Sequence, residues 1–283
     1  MAASITVEST ATATVTSGTS IVVDKPTGLV ENEALVAVVI ASGASVPGIN
    51  TPAGWEKMQD QPYSDTQDLR IATFNKLATS GDVAASNFTF TTTVSGRIEI
   101  VLLRVSSVLV TDLYDAGGSD TGDGTDPTFN ISVTASQNKC LYVMGVFGQI
   151  STNFADSTVP VINGTNPSWT KYQATHLDVY AASVDTTAAI TTADFTFTNS
   201  FATTDWVFAL SVINGREDTN AVVGFATVGN TGFAPGLRAD TNLTIGDFPE
   251  FDNSAFNATA TGTSPAQWSE PTRTDTTWTN ESQ

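Results

Sequence analysis

Apolar and polar positions alternate along most of the first 216 residues, and the few unbroken apolar runs are short. Ile5-Thr-Val7, Ala11-Thr-Ala-Thr-Val15 and Ile21-Val-Val23 give one or two strands about a Ser17-Gly18 turn. Lys25-Pro-Thr-Gly28 is a turn, since proline presets φ and glycine accepts positive φ. Ala34-Leu-Val-Ala-Val-Val-Ile40 has no polar face, so it predicts a strand covered on both sides or central in a sheet. The loop Gly48–Gly54 leads into Trp55, expected to cap a sheet end or, on the sharper reading, to serve as a ligand platform. In Leu69–Lys76, Leu69, Ile71 and Thr73 share one face and Arg70, Ala72 and Phe74 the other. Residues 78–86 are small and polar and read as a loop. Phe88 and Phe90 then point inward and Thr89 and Thr91 outward, before the apolar run Ile98–Leu103. No window carries a long helical period.

The same succession recurs after Gln137. Cys140–Phe147 stands for the first apolar run, Pro167-Ser-Trp169 for the Trp loop and Leu177–Ser183 for the alternating segment. Asp194-Phe-Thr-Phe-Thr198 stands for the Phe-Thr-Phe strand, and Trp206–Val212 for the last run. The offsets are 114 at Trp55/Trp169, 108 at Leu69/Leu177, 107 at Phe88/Phe195 and 108 at Ile98/Trp206. An offset this steady predicts a duplicated β unit of about 100 residues, an ordinary domain size. The expected fold is all-β: two tandem related antiparallel β-sandwich units of jelly-roll-like form, followed by an extended C-terminal arm. The units are 1–112 and 128–216, with an acidic Gly-rich linker at 113–127 and a C-terminal strand and arm at 217–283.

Asp112–Asp126 holds five carboxylates among four glycines. The plain reading is a solvated linker. The sharper one makes Asp115, Asp120, Asp123 and Asp126 calcium ligands, because Ca²⁺ takes many oxygens on a pliable loop. The stretch lacks the EF-hand pattern and its closing Glu. Beyond Gly232 aliphatic residues thin out while Phe248, Phe251, Phe256, Trp268 and Trp278 persist. Such a stretch cannot bury enough apolar area to fold by itself. It reads as an arm whose aromatics anchor it to another surface, or as a disordered tail.

Composition narrows the function. Charged residues are 14% of the chain and the net charge is -18, with basic residues scattered. Nucleic-acid binding needs clustered cations, so no direct DNA or RNA contact is expected. No apolar span reaches the length of a transmembrane helix, so no membrane insertion is expected. One cysteine, Cys140, allows no intrachain disulfide and sits in an apolar strand as an inert thiol. His176, the only histidine, reads as an exposed strand residue opposite Asp68 in the repeat. It has no Gly-x-Ser-x-Gly elbow to serve. Paired carboxylates would suffice for a glycosidase. Yet Glu31 and Glu33 flank a turn and Glu99 stands alone. The N-terminus lacks the basic and apolar regions of a secretory signal, which fits either a virion protein made in the cytoplasm and released by lysis or a secreted or cell-surface chain whose signal is already removed.

The motifs Lys25-Pro-Thr-Gly28, Leu35-Val-Ala-Val38, Thr51-Pro-Ala-Gly-Trp55 and Phe88-Thr-Phe-Thr91 carry a resemblance. Over about residues 18–215 the chain resembles jelly-roll-like sandwich modules of tailed-phage structural proteins and some bacterial surface proteins. The second half departs from the pattern with Asn166-Pro-Ser-Trp169 and has no Pro-x-Gly turn. The resemblance implies a β-sandwich without catalytic residues, displayed on a particle or cell surface and usually homo-oligomeric; the leading expectation is a non-enzymatic virion protein (capsid decoration, head fibre or tail component) that contacts other virion proteins and requires no cofactor. The competing expectation is a carbohydrate-binding module or cell-surface adhesin that meets a host glycan through Trp55 and Trp169.

Overall fold

The computed structural model describes residues 4–65, 68–122, 128–133, 135–137, 139–148, 161–162, 168–185, 193–198 and 205–216, with backbone alone at 128–132, 161–162 and 193–198. The chain divides into two compact units, Met1–Val223 and Gly224–Gln283. The second lies wholly outside the described residues, and with it the expected arm residues Phe248, Phe251, Phe256, Trp268 and Trp278.

The described chain is all-β apart from one short helix. Its strands are β1 (Thr6–Asp24), β2 (Ala34–Gly43), β3 (Glu56–Ser64), β4 (Asp68–Leu77) and β5 (Asn87–Ser106), with α1 (Ser80–Ala84) between β4 and β5. There follow β6 (Tyr114–Gly122), β7 (Thr128–Val133), β8 (Lys139–Gly148), β9 (Val161–Ile162), β10 (Thr170–Gln173), β11 (Leu177–Asp185), β12 (Ala193–Thr198) and β13 (Trp206–Asn214). They form two five-stranded antiparallel sheets, ordered β1-β5-β2-β4-β3 and β10-β11-β8-β13-β6, and a three-stranded sheet β7-β12-β9.

The strand order repeats. β1 begins and ends against β5, pairing Thr6–Val15 with Ile98–Ser106 and Ser20–Asp24 with Asn87–Thr91. In the second half the same two pairings are divided between β6–β13 and β7–β12. The repeat extends to an irregularity: the ladder skips one residue at Glu8 in β1 and one at Asp115 in β6. Such bulges bend and twist a strand at a fixed place, so a matched pair is a strong mark of common design. Pairing with β5 and β13 equates Val38 with Gly145, an offset of 107. Pairing across to Thr73 and Val179 then gives 106 for β4 and β11, where the residues alone suggest 108. A slip of two leaves every side chain on its own face.

The alternation read along the chain governs the packing. Val36, Val38, Ile40, Leu69 and Ile71 turn one way and join Leu141, Val143, Val179, Val207 and Ala209 in a core shared by the two five-stranded sheets. Leu35, Ala37, Val39, Ala72 and Phe74 turn the other way, under Ile21, Val23, Phe88 and Phe90 of the paired ends of β1 and β5. The other side of the second sheet holds Tyr142, Met144, Trp206 and Phe208. Both faces of β2 are therefore buried, as its unbroken apolar run predicts. Each half has a core of its own, and the two halves also share a third between their sheets. Burying one large aliphatic residue is worth about 1.5–3 kcal/mol. The shared core, the largest of the three among the described residues, therefore binds the halves strongly. Its centre is Val38 against Gly145: a Cβ on Gly145 would overlap Val38 Cγ1. These are repeat-equivalent residues, so the halves meet there through matching positions of β2 and β8.

Two expectations change. Tyr114–Gly122 is not linker but an edge strand. Its glycines serve close approach: a Cβ on Gly117 would strike the Leu210 carbonyl, and one on Gly122 would lie 2.6 Å from the Trp206 ring. Residues 78–86 are not all loop. Thr79 caps α1 by accepting from Asp82 N–H while Asp82 accepts from Thr79 N–H, a reciprocal capping box. Burial of Cys140 agrees with its place in an apolar strand.

Candidate functional site

Among the described residues, the most heavily hydrogen-bonded polar cluster between the two sheets centres on Glu99. It occupies a shared-core position of β5 and is fully buried; its repeat equivalent is Val207. One carboxylate oxygen, Oε2, accepts from the backbone N–H groups of His176 (2.7 Å) and Leu177 (3.0 Å). The other, Oε1, is 2.8 Å from His176 Nδ1. Arg97 Nη1 lies 3.2 Å from the same Nδ1. A carboxylate that close fixes the tautomer: Nδ1 carries the proton and donates to Glu99, and Arg97 adds nearby positive charge. A buried carboxylate is tolerated when its lone pairs are filled in this way. His176 therefore precedes β11 as a fastener with a side chain 15% exposed, and is not an open strand residue.

Other bonds extend the seam. Thr73 and Ser211 hydroxyls meet at 2.7 Å in the core. At the β3–β6 side, Gln59 donates to the Tyr114 hydroxyl and Ser119 to Gln61. On the opposite side Thr14 and Thr175 hydroxyls pair, and Ser183 donates to the Ile5 carbonyl. A histidine oriented by a carboxylate can act as a general base when a nucleophile lies within reach. Among the described residues no hydroxyl or thiol is bonded to His176. Glu33, weighed as a glycosidase acid, is held bidentately by Arg104 at 2.6 and 2.7 Å.

Of the four predicted metal ligands, the two described ones, Asp115 and Asp120, do not converge. Asp115 sits at the β6 bulge and accepts from Ser136 N–H; Asp120 accepts from Thr121 N–H. Five residues apart on one strand, they are about 17 Å from each other, too far to share an ion. Asp123 and Asp126 lie outside the described residues. Among the described residues no group of three or more His, Cys, Asp or Glu could hold a metal.

The two tryptophans of the glycan expectation fare differently. Pro52-Ala-Gly-Trp55 is a turn closed by Trp55 N–H to the Pro52 carbonyl, with Gly54 at φ 77°. It sends Trp55 inward, 8% exposed and edge-on to Phe88 and Phe90 at 5.8 and 5.2 Å. Trp55 therefore offers no stacking face. Trp169 is half-buried at the rim of the second half's core. Each tryptophan opens a Trp-x-Lys motif, Trp55-Glu-Lys57 and Trp169-Thr-Lys171. Lys57 Nζ lies 5.6 Å from the centroid of Phe74, its partner across the ladder, and Lys171 Nζ lies 5.7 Å from that of Tyr180, likewise its partner. A carboxylate completes each cluster, Asp60 at 2.9 Å and Asp178 at 3.1 Å. The Trp-x-Lys spacing was the signal available in the sequence. Glu99 gave none beyond an acid inside an apolar run.

Comparison with known protein families, with curated proteins and with solved structures returned no match.

Proposed function

We propose that this chain is a non-enzymatic structural protein of a virus particle, displayed on the particle surface as a decoration, fibre or tail component. The observation that supports this best is where the buried and half-buried polar groups go. Glu99, Thr73, Ser211, Gln59 and Tyr114 are spent on fastening one half of the duplication to the other. The exposed positions of β1 and of the first part of β5 are mostly Thr, Ser and Asn. A body built this way resists deformation and presents a polar surface. The test is electron microscopy of the source particle with the purified protein added back. Stoichiometric density on the particle is expected, and a chain that binds no particle component would overturn the reading.

A second reading, glycan binding, is favoured at one place only. Trp169 is the more open of the two equivalent tryptophans. A glycan array should lose its hits in Trp169→Ala and keep them in Trp55→Phe. An array without hits removes this reading.

A further inference from the structure

We infer that β1 is a docking edge, and that its occupant is β1 of a second copy of this chain, paired antiparallel about a two-fold axis at Thr12. The inference deepens the proposed role in an assembled particle and rests on it. Four strand edges end the two five-stranded sheets: β1, β3, β6 and β10. Exposed edges invite a further strand unless they are guarded by charge, proline, bulges or short length. β3 carries Glu56, Lys57, Asp60 and Pro62 and a register break at Met58. β6 carries Asp115, Asp120 and its bulge. β10 is four residues long. β1 has irregularities near Glu8 and Gly18, but Ser9–Val15 between them pairs with β5 in unbroken register and holds no charge and no proline. Among the described residues, no backbone group of Ser9–Val15 bonds outside that ladder.

The residues of this edge specify the partner. Thr10-Ala-Thr-Ala-Thr14 reads the same in both directions about Thr12. An antiparallel pair of copies therefore sets Thr against Thr and Ala against Ala, and facing threonines are a favourable cross-strand pair. Charge selects the same place. Copies carrying -18 each repel one another. Between Thr6 and Val23 the only charged residue is Glu8. In this register the two Glu8 side chains stand about 27 Å apart, beyond the ~8 Å Debye length of physiological salt.

The experiment uses the full chain and two substitutions at Thr12, which is exposed. Residues directly opposed in an antiparallel ladder have Cα atoms about 4.5–5.5 Å apart, within disulfide range. Thr12→Cys should therefore give a covalent dimer on mild oxidation, whereas Thr89→Cys, exposed on β5 opposite Val22, should give none. Thr12→Lys lowers the net negative charge yet sets two ammonium groups face to face. It should shift the sedimentation mass from two chains to one. Wild-type chain sedimenting as a monomer at 100 µM overturns the inference. So does an oligomer indifferent to Thr12→Lys, which would leave the particle role standing and move the contact elsewhere.

Discussion

Replacing Glu99 by alanine removes the acceptor for three N–H groups at once and leaves two buried backbone donors, those of His176 and Leu177, without a partner. Two backbone donors left without their ionised acceptor cost together about 3–5 kcal/mol. Each charge-assisted bond is worth about 1.5–3 kcal/mol, so the total is consistent with part of it being recovered by water entering the gap. For a chain of this size each kcal/mol moves the melting temperature by about 2–4 °C, giving a loss of roughly 6–20 °C. The measurement is urea unfolding at pH 7, followed by tryptophan fluorescence and far-ultraviolet circular dichroism. His176→Ala should cost less, about 1–2 kcal/mol, because it spares both backbone bonds and removes only the imidazole partner. Glu99→Ala costing under 1 kcal/mol would refute the fastening role. A His176→Ala loss as large as that of Glu99→Ala would show that the imidazole, not the backbone, is the partner that counts.

Three further outcomes follow from the geometry. Gly145→Ala forces a methyl into Val38 and should cost about 1–3 kcal/mol by overpacking, with Val38→Ala in the same chain restoring part of it; no recovery would mean the two do not meet. Burial acts to raise the Asp82 carboxyl, but hydrogen bonds from Lys76 and from the Thr79 hydroxyl and N–H outweigh it and hold the group below its ordinary value of 3.8. A depressed folded value means stability that is present above that pH and lost as pH falls through the folded value. The stability gap between wild type and Asp82→Asn, read by urea unfolding from pH 7 to pH 2.5, should therefore close on the acid side and stay constant above about pH 5. Lys57→Met should cost about 0.5–1 kcal/mol through its cation–π contact, whereas Lys171→Met also leaves the buried Asp178 carboxylate without its ammonium and should cost more, about 3–5 kcal/mol; equal losses would refute the difference in burial.

The strand pattern was legible because the period of two is written into single residues. Phe88/Thr89/Phe90/Thr91 and Leu69/Arg70/Ile71/Ala72 each fall on the faces that alternation assigns. The duplication was legible for the same reason, since Trp55/Trp169 and Ile98/Trp206 mark matching strands. Where the halves meet was not legible. Leu, Val and Ile that turn toward a shared core look the same as those that turn toward a private one. Tyr114–Gly122 was read as linker because glycine and aspartate are turn formers, yet here the glycines admit the backbone of Leu210 and the ring of Trp206. Glu99 is the opposite case: an acid in an apolar run implies a buried partner, but its partners are backbone groups 77 and 78 residues away, which no side-chain pattern records.

The shared core predicts that the two halves open together. Native-state hydrogen exchange tests this directly when only the first half is weakened. Phe90→Ala lies in the private core of that half, away from the second sheet. Peptides from β2 and from β8 should then lose the same free energy of protection, about 3–5 kcal/mol each. Protection of β8 left at its wild-type value while β2 falls would contradict it, and would mean two sandwiches that merely adjoin.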